Sequence, residues 1–532
     1  WDTTLQASTF LPDQFNAAQA AKLFRPVCIG AYPCSGSNRR GMDPTLVNAG
    51  VTPTLANTVE ERFIGRLVPG SNRFNGAFQA GQGVNDQLQN GNALRVSPRF
   101  GFTYDVSGNQ SMILRGGFGI FYDRPQGNQV FDMIANAPGV LVSNVQWGRL
   151  QDLGSGSTGT NPFPTLSLSP SGFDFKPPKT YQWNVGVQRK LWSTLIFDLA
   201  YVGSKSTDLL RQSQINSVPL GAKFLPKNQD PTRAPSATPG ASALPDDLLR
   251  PYQGYNTIRM WDYTGWGNYN ALQGGITRRF DKGFMVSAFY VWSKALTVNN
   301  DDFTAGLPST DKDAIKRLDY SYASYDRPNN FVLNFIYQVP KFASGALGML
   351  ANDWQISGVY RWTSGLPYRV TYSIPGIGNA NLSGTDNPAA RVVVTCDPGK
   401  GYSSDPYRQI AHPECFAPPQ PGSDGAESAR FFLRNPPTNN LDLSLAKKFI
   451  VHKSMGLEVR LDAFNALNHT QFLVTSQGLN QAASVSFRSL TDRTITNLPY
   501  DASGNIVRNN GFGAIAGVAP ARQIQLVTRL TF

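Results

Sequence analysis

The sequence is poor in charge, histidine and cysteine, and it contains no long apolar run. Charged residues make up only 16% of 532 positions. No uninterrupted apolar stretch approaches the ~18 residues that a membrane helix needs, which excludes a helical membrane protein. There are three histidines in all, His412, His452 and His469, far apart in the chain. With no HExxH, no GxSxG elbow and no Walker loop beside them, no catalytic residue, cofactor site or metal site is expected. The four cysteines fall into two local pairs: Cys28 and Cys34 enclose IGAYP, and Cys396 and Cys415 bracket a Gly/Pro-rich loop. That spacing suggests two disulfides and an oxidising compartment. The alternative, a metal held by Cys415 with His412 and Glu414, lacks any CxxC pair to support it. The net charge of +12 is scattered, without a basic stripe or an aromatic-laced motif, so no nucleic-acid partner is expected. No basic n-region or apolar h-region follows Trp1, so an export signal has been removed or was not included.

What the chain does have is turn formers and rings: 50 Gly, 37 Pro, 32 Phe and 20 Tyr. The stretch SMILRGGFGIFYDR, Ser111 to Arg124, shows how they are used. As a phosphate-binding glycine loop it lacks the helix that should follow, because Ile120-Phe121-Tyr122 is β-prone and Pro125 soon ends the segment. With a period of two, Met112, Leu114, Gly116, Phe118, Ile120 and Tyr122 form one apolar face. Arg115, Gly117, Gly119 and Asp123 lie on the other, where the glycines leave interior room or relieve curvature.

The same alternation recurs along the chain. SPRFGFTYDV pairs with the first stretch across SGNQ, and YQWNVGVQRKL turns through Trp192-Ser193-Thr194 into LIFDLAYVG. NALQGGITRRF meets FMVSAFYVWSK across Asp281-Lys282-Gly283, and FVLNFIYQVP joins WQISGVYRW through residues 341 to 353. NLDLSLAKKF joins LEVRLDAF through Val451 to Gly456, and ARQIQLVTRLTF closes the series at Phe532. This makes about eleven strands, each near the ~9–11 residues that cross a bilayer at a tilt. Short turns alternate with long loops near 125–178, 206–266, 297–326, 372–436 and 471–519. The expected fold is all-β: an antiparallel transmembrane outer-membrane β-barrel with long extracellular loops.

Charge and ring placement separate this from a soluble sandwich. Arginine or lysine on a lipid face costs ~2–4 kcal/mol at the midplane and ~0–1 at the interface, so exceptions belong at strand ends. Arg189, Arg278 and Lys447, the charges on the apolar parity, each lie a few residues from a short turn. Arg99, Arg115, Arg279, Arg361, Arg460 and Asp462 fall on the polar parity and are expected to face the lumen. Tyr122, Tyr181, Trp183, Tyr201, Tyr290, Trp292 and Trp362 lie toward the long loops. Tyr104, Trp192, Phe280, Tyr337, Trp354 and Phe532 lie toward the short turns, giving two interface belts.

Several segments, taken in order, carry a resemblance: SPRFGFTYDVSG, LRGGFGIFYDR, YQWNVGVQRKL with LAYVGSKSTDLL, YNALQGGITRRF with FYVWSKAL, WQISGVYRWTSGLPY, and VRLDAFNALNHTQF. Together they resemble the C-terminal barrel of Oar-like TonB-dependent outer-membrane receptors, over most of residues 50 to 532. The resemblance implies a barrel of about twenty-two strands, filled by an N-terminal plug whose TonB box engages the inner-membrane energy-coupling complex. This chain departs from that pattern in having about half the strands, no plug and no TonB box. It therefore reads as the C-terminal portion of a longer receptor, with residues 1–94 as an extracellular loop region and 95–532 as part of the barrel. The implied partners are the lipid bilayer, the barrel assembly machinery, the TonB complex through a plug this chain lacks, and an unknown solute. The implied location is the bacterial outer membrane. The implied function is energy-coupled uptake of a bulky solute, be it a glycan, a peptide or a metal chelate. The alternative is a surface-binding or export-associated barrel without nutrient uptake, and an extracellular β-rich enzyme ranks last.

Three smaller readings complete the set. The run YQGYNTIRMWDYTGWGNY offers Tyr252, Tyr255, Trp261, Tyr263 and Trp266 as ligand-stacking rings on an external loop, against the alternative that the loop packs on itself. Asp301, Asp302, Asp311 and Asp313 form either a calcium-binding or a solvated acidic loop. Phe532, ending a strand with Ile524, Leu526 and Leu530 at alternate positions, resembles the C-terminal signal read by the outer-membrane assembly machinery.

Overall fold

The computed structural model describes residues 5–532 except 35, 91–93, 125–126, 142–164, 300–311, 379, 400–402, 453–454 and 476–480. Eleven strands form the path of one large sheet. They are β1 (Arg99–Asp105), β2 (Met112–Tyr122), β3 (Lys179–Lys190) and β4 (Leu195–Gln214). β5 (Tyr255–Asp281), β6 (Phe284–Thr297), β7 (Asn329–Gln338) and β8 (Trp354–Thr363) follow. β9 (Thr438–His452), β10 (Met455–Phe464) and β11 (Gln523–Thr531) complete it. Each strand is antiparallel to the next in chain order, as hairpins require.

Register decides which residues share a face, and here it is consistent across the whole sheet. Tyr104, Leu114, Val187, Leu199, Gly274 and Tyr290 form one cross-strand row. Val286, Phe335, Gly358, Leu443, Ala463 and Ile524 form another on the same face. On the opposite face Ser357, Ser444, Asp462 and Gln525 make a polar row. A slip of one residue in any strand would exchange the two sets, so the apolar pattern itself fixes the pairing. The apolar face is left open: Val185, Trp292 and Leu526 are 48%, 61% and 66% exposed. An uncovered apolar surface spread over a whole sheet is a surface for lipid, not for water.

Glycines on this face make room for rings. Trp183 lies opposite Gly203, where an added Cβ would fall 2.3 Å from the indole. Phe102 uses Gly116 in the same way, at 2.5 Å. The glycines of the GGFG stretch thus serve strand packing, with Gly116 on the apolar face taking the ring. At the β5–β6 turn Lys282 and Gly283 both have positive φ, 48° and 81°. Two adjacent left-handed residues match the twist of a tight hairpin.

The structure moves two sequence boundaries. The loop expected at 206–266 is shorter, because β4 runs on to Gln214 and β5 begins at Tyr255, paired through Gln214–Arg259 with register shifts between Ser206 and Arg211. Polar residues dominate both parities of Ser204–Gln214, so alternation could not reveal this part of the hairpin. The β7–β8 connection, read as a turn, contains the helix Gly345–Ala351.

Beyond the sheet's long-loop end the connections fold into a cap. Tyr368, Val370, Tyr372, Val485, Phe487, Phe416 and Phe512 share an apolar core between the β8–β9 and β10–β11 connections. The strand Pro367–Ser373 lies parallel to Ala482–Ser486 and antiparallel to Leu433–Arg434. Among the described residues, the buried clusters formed before β1 include residues from later in the chain: Ala7, Ala80 and Leu88 pack with Met133. Phe10 and Ala77 pack with Tyr255 and Ile258 of β5, and Leu23 and Leu67 pack with Leu244 and Leu248 of the β4–β5 connection. The outer edges of β1 and β11 have no strand partner among the described residues.

Candidate functional site

The two surfaces able to meet a solute are the polar face of the sheet and the cap. On the polar face Arg115 Nη2 donates to Asp198 Oδ1 at 2.7 Å, reaching diagonally from β2 to β4 across β3, where Gly186 is opposite Arg115 and Gln188 opposite Asp198. Arg460 Nε donates to Asp462 Oδ2 at 3.0 Å, and Lys448 lies 3.9 Å from Glu458. Arg99 is stacked 4.7 Å from the centre of the Phe121 ring. Arg361 sits in register with Val332 and Asn440, and Arg279 lies at the register shift between the pairs Arg278–Val286 and Asp281–Phe284, near the short turn. The six charges expected to face the lumen, Arg99, Arg115, Arg279, Arg361, Arg460 and Asp462, are spread along the sheet and do not converge on one point.

The charges on the apolar parity are handled at its rim. Lys447 is 3% exposed, donates to the backbone oxygens of Asn352 and Lys448, and lies 4.8 Å from the Phe449 ring. Arg278 lies 5.1 Å from the Phe284 ring and 3.9 Å from Asp281. Each cation is tied to a ring or a carbonyl beside a short turn, where desolvation is least severe.

The aromatic run proposed to grip a ligand is in fact the seam of the cap. Tyr255 and Trp261 are 1% exposed and Tyr263 is buried. Tyr252 and Tyr255 meet Phe10 edge to face, at 5.0 and 5.2 Å. Their polar tips are used internally: Tyr255 Oη donates to the Asn75 carbonyl at 3.0 Å, and Trp261 Nε1 donates to Asp132 Oδ2 at 3.0 Å. Tyr263 Oη accepts from Gln129 Nε2 at 3.3 Å. Buried rings with satisfied tips are packing anchors, so Tyr255, Trp261 and Tyr263 offer no ring face to a solute. Tyr252 is half-buried in the same seam, and Trp266 is half-buried beside Thr297.

Ion pairs hold the cap, most of them between residues distant in sequence, and no sequence pattern marks those. Arg39 joins Asp230 and Glu61, each at 2.5 Å. Arg211 and Arg391 both reach Asp319, at 3.3 and 3.7 Å. Arg250 bridges Asp247 and Asp386, and Arg434 pairs with Asp326. In the part of β5 beyond its pairing with β6, burial pushes the Asp262 carboxyl up, opposed by hydrogen bonds from Ser213 and Thr264 and by the charge of Arg211. Burial likewise lowers Arg391, against the opposing charges of Asp319 and Glu427.

Disulfides link Cys28 to Cys34 and Cys396 to Cys415, both within the cap. His412 Nδ1 lies 3.0 Å from Glu414 Oε1 beside the second. No cluster of three metal-ligating side chains occurs among the described residues. Asp301, Asp302 and Asp311 lie outside the described residues, and Asp313 is in the helix Lys312–Asp319. Phe532 follows β11 and is 92% exposed.

A sheet apolar over one entire face and polar over the other, with short turns at one end and a folded cap at the other, defines a membrane-spanning β-barrel domain. The chain belongs to the outer membrane beta barrel domain family, whose match runs over residues 41–525, and its place is the bacterial outer membrane. The Oar-like resemblance fits at that level. Comparison with curated proteins returns no match. Among solved structures the chain is similar to the outer membrane transporter YddB from Escherichia coli, at 11% identity and TM-score 0.38, covering 73% of this chain and 39% of that one. It is also similar to the ferric-catecholate import receptor Fiu from E. coli K12, at 10% identity and TM-score 0.34, covering 91% and 38%. The copper transporter OprC matches at 11% identity and TM-score 0.31, covering 82% and 39%. The chain thus spans about two fifths of the length of these structures.

Proposed function

We propose that this chain is the C-terminal part of a larger outer-membrane barrel, a TonB-dependent receptor for energy-coupled uptake of a bulky solute. Its capped end would meet the solute outside the cell, and its polar face would line the route inward. Residues 1–94 belong, in this reading, to the surface region, and 95–532 to the barrel and its loops. The chain acts as a transporter and not as an enzyme.

The observation that carries the reading is the parity of the open sheet. Eleven strands, each antiparallel to the next, leave the two edge strands running in the same direction. Joining β1 to β11 directly would make a parallel seam, and so would a ring of two copies. Closure by antiparallel pairs alone requires an odd number of further strands between the edges. In lipid the edges must be closed, because each unpaired backbone group there costs several kcal/mol. A barrel larger than this sheet has a wide lumen, which suits a bulky solute and a plug.

The test uses the native protein in its own outer membrane. Crosslinking to a TonB protein, together with solute accumulation that an uncoupler abolishes, is the expected result. Surface binding that an uncoupler leaves unchanged, with no crosslink, would replace this reading with a surface-binding or export-associated barrel.

A further inference from the structure

The β7–β8 connection carries an apolar surface that neither the barrel wall nor the cap uses. Phe342, Leu347, Met349 and Leu350 are 71%, 68%, 61% and 65% exposed, on and beside the helix Gly345–Ala351. The segment is held in one shape. Asn352 Oδ1 accepts from the backbone N–H groups of Phe342 and Ala343 at 3.0 and 3.2 Å, and its Nδ2 donates to the Ala343 carbonyl at 2.7 Å. Two residues of the sheet's apolar face tie it to the barrel rim. Trp354 Nε1 donates to the Leu350 carbonyl at 2.9 Å, and Lys447 donates to the Asn352 carbonyl.

We propose that this connection is an interfacial anchor, seated in the phospholipid leaflet at the short-turn end with Leu347 and Leu350 in the acyl boundary. The proposal rests on the membrane-spanning reading of the sheet and adds a second point of lipid contact outside it. Lipid is the occupant for two reasons. First, the exposed side chains continue the apolar face through Trp354, and the exposed Trp192, 70% accessible, marks the same interface on the β3–β4 turn. Second, the flanking cation Lys341, 3.1 Å from Asp353 and with its side chain 69% exposed, suits the phosphate layer of that leaflet.

Both cysteine pairs of this chain are disulfide-bonded, so an introduced cysteine is its free thiol. Nitroxide is attached at Leu347→Cys and Leu350→Cys, with Ser344→Cys as the exposed reference and Phe118→Cys as the barrel-wall control, in isolated outer membranes. Collision with oxygen, which concentrates in lipid, is compared with collision with a water-soluble nickel chelate. The oxygen-to-nickel ratio is expected to be severalfold higher at Leu347 and Leu350 than at Ser344, approaching that at Phe118. A lipid-like ratio at Phe118 with a water-like ratio at Leu347 and Leu350 would overturn the anchor and leave the barrel standing. Low collision with both reagents at Leu347 and Leu350 would mean a protein partner covers the helix, and would also overturn it. A water-like ratio at Phe118 would reject the membrane reading itself.

Discussion

Replacing Arg39 with alanine should release the segment before β1 from the cap while the barrel strands stay folded. Arg39 is 6% exposed. Its Nη2 lies 2.5 Å from Asp230 Oδ2, and its Nε donates to Thr232 Oγ1 at 3.0 Å. The Asp230 side chain is wholly buried, so without Arg39 it keeps hydrogen bonds from Thr232 and a 3.7 Å approach to Arg233, whose side chain is 49% exposed. Stranding one partner of a buried ion pair costs about 3–5 kcal/mol. The Glu61 arm is different: that carboxylate is 44% exposed, and an exposed pair contributes about 0–1 kcal/mol. The assay is amide hydrogen exchange over residues 25–42 in isolated membranes. At 1.4 kcal/mol per factor of ten, Arg39→Ala should speed exchange there by roughly 10²- to 10⁴-fold, and Glu61→Ala by less than about tenfold. Amides of β6 and β7 should not change in either variant. The double variant Arg39→Met with Asp230→Leu removes both buried charges and should return to within about 1 kcal/mol of the parent. Equal exchange in Arg39→Ala and Glu61→Ala would refute the argument that burial of Asp230 makes this pair matter.

Cysteines placed at Leu114, Phe118 and Val185 should resist impermeant thiol reagents in intact membranes, and ready reaction at all three would reject their lipid-facing assignment. Non-reducing peptide mapping of the native protein should recover Cys28–Cys34 and Cys396–Cys415, and free thiols at those positions would show that the cap folds without them. Asp424 is held below its ordinary value of 3.8, first by its hydrogen bond with Arg317. A lowered carboxyl contributes stability above its unfolded value and loses it as pH falls through the folded one, so exchange protection of helix Lys312–Asp319 should be unchanged between pH 7 and pH 5 and decline only below about 3.8. In the full-length receptor, Phe532→Ala should stall before insertion while Phe280→Ala inserts normally, and equal insertion would leave Phe532 as an interface residue without a signalling role.

Alternation alone was sufficient for the barrel wall. A β-strand shows its faces in turn, so segments such as YQWNVGVQRKL and NALQGGITRRF carried both their state and their orientation in single residues, and Arg189, Arg278 and Lys447 marked the rim because a charge in lipid is costly everywhere else. The same logic failed where no lipid selects a face. Ser206–Gln214 alternates nothing and falls in the loop expected at 206–266, and the GALGMLA helix falls in a connection expected to be a turn, since a two-turn segment is too short to show a period.

The cap lay beyond the reach of sequence for a related reason. Tyr255, Trp261 and Tyr263 have the composition of a binding platform and of a packing seam alike, and only the approach of Phe10, Asn75 and Asp132 from distant parts of the chain makes them a seam. Arg39 and Asp230 stand 191 positions apart, with nothing local to pair them. The sequence by itself determined the eleven strands of the large sheet and their two faces, because register acts on each residue through its neighbours two positions away. Tertiary structure decided which buried charges meet and which rings are hidden, because those depend on contacts between residues that no local period connects.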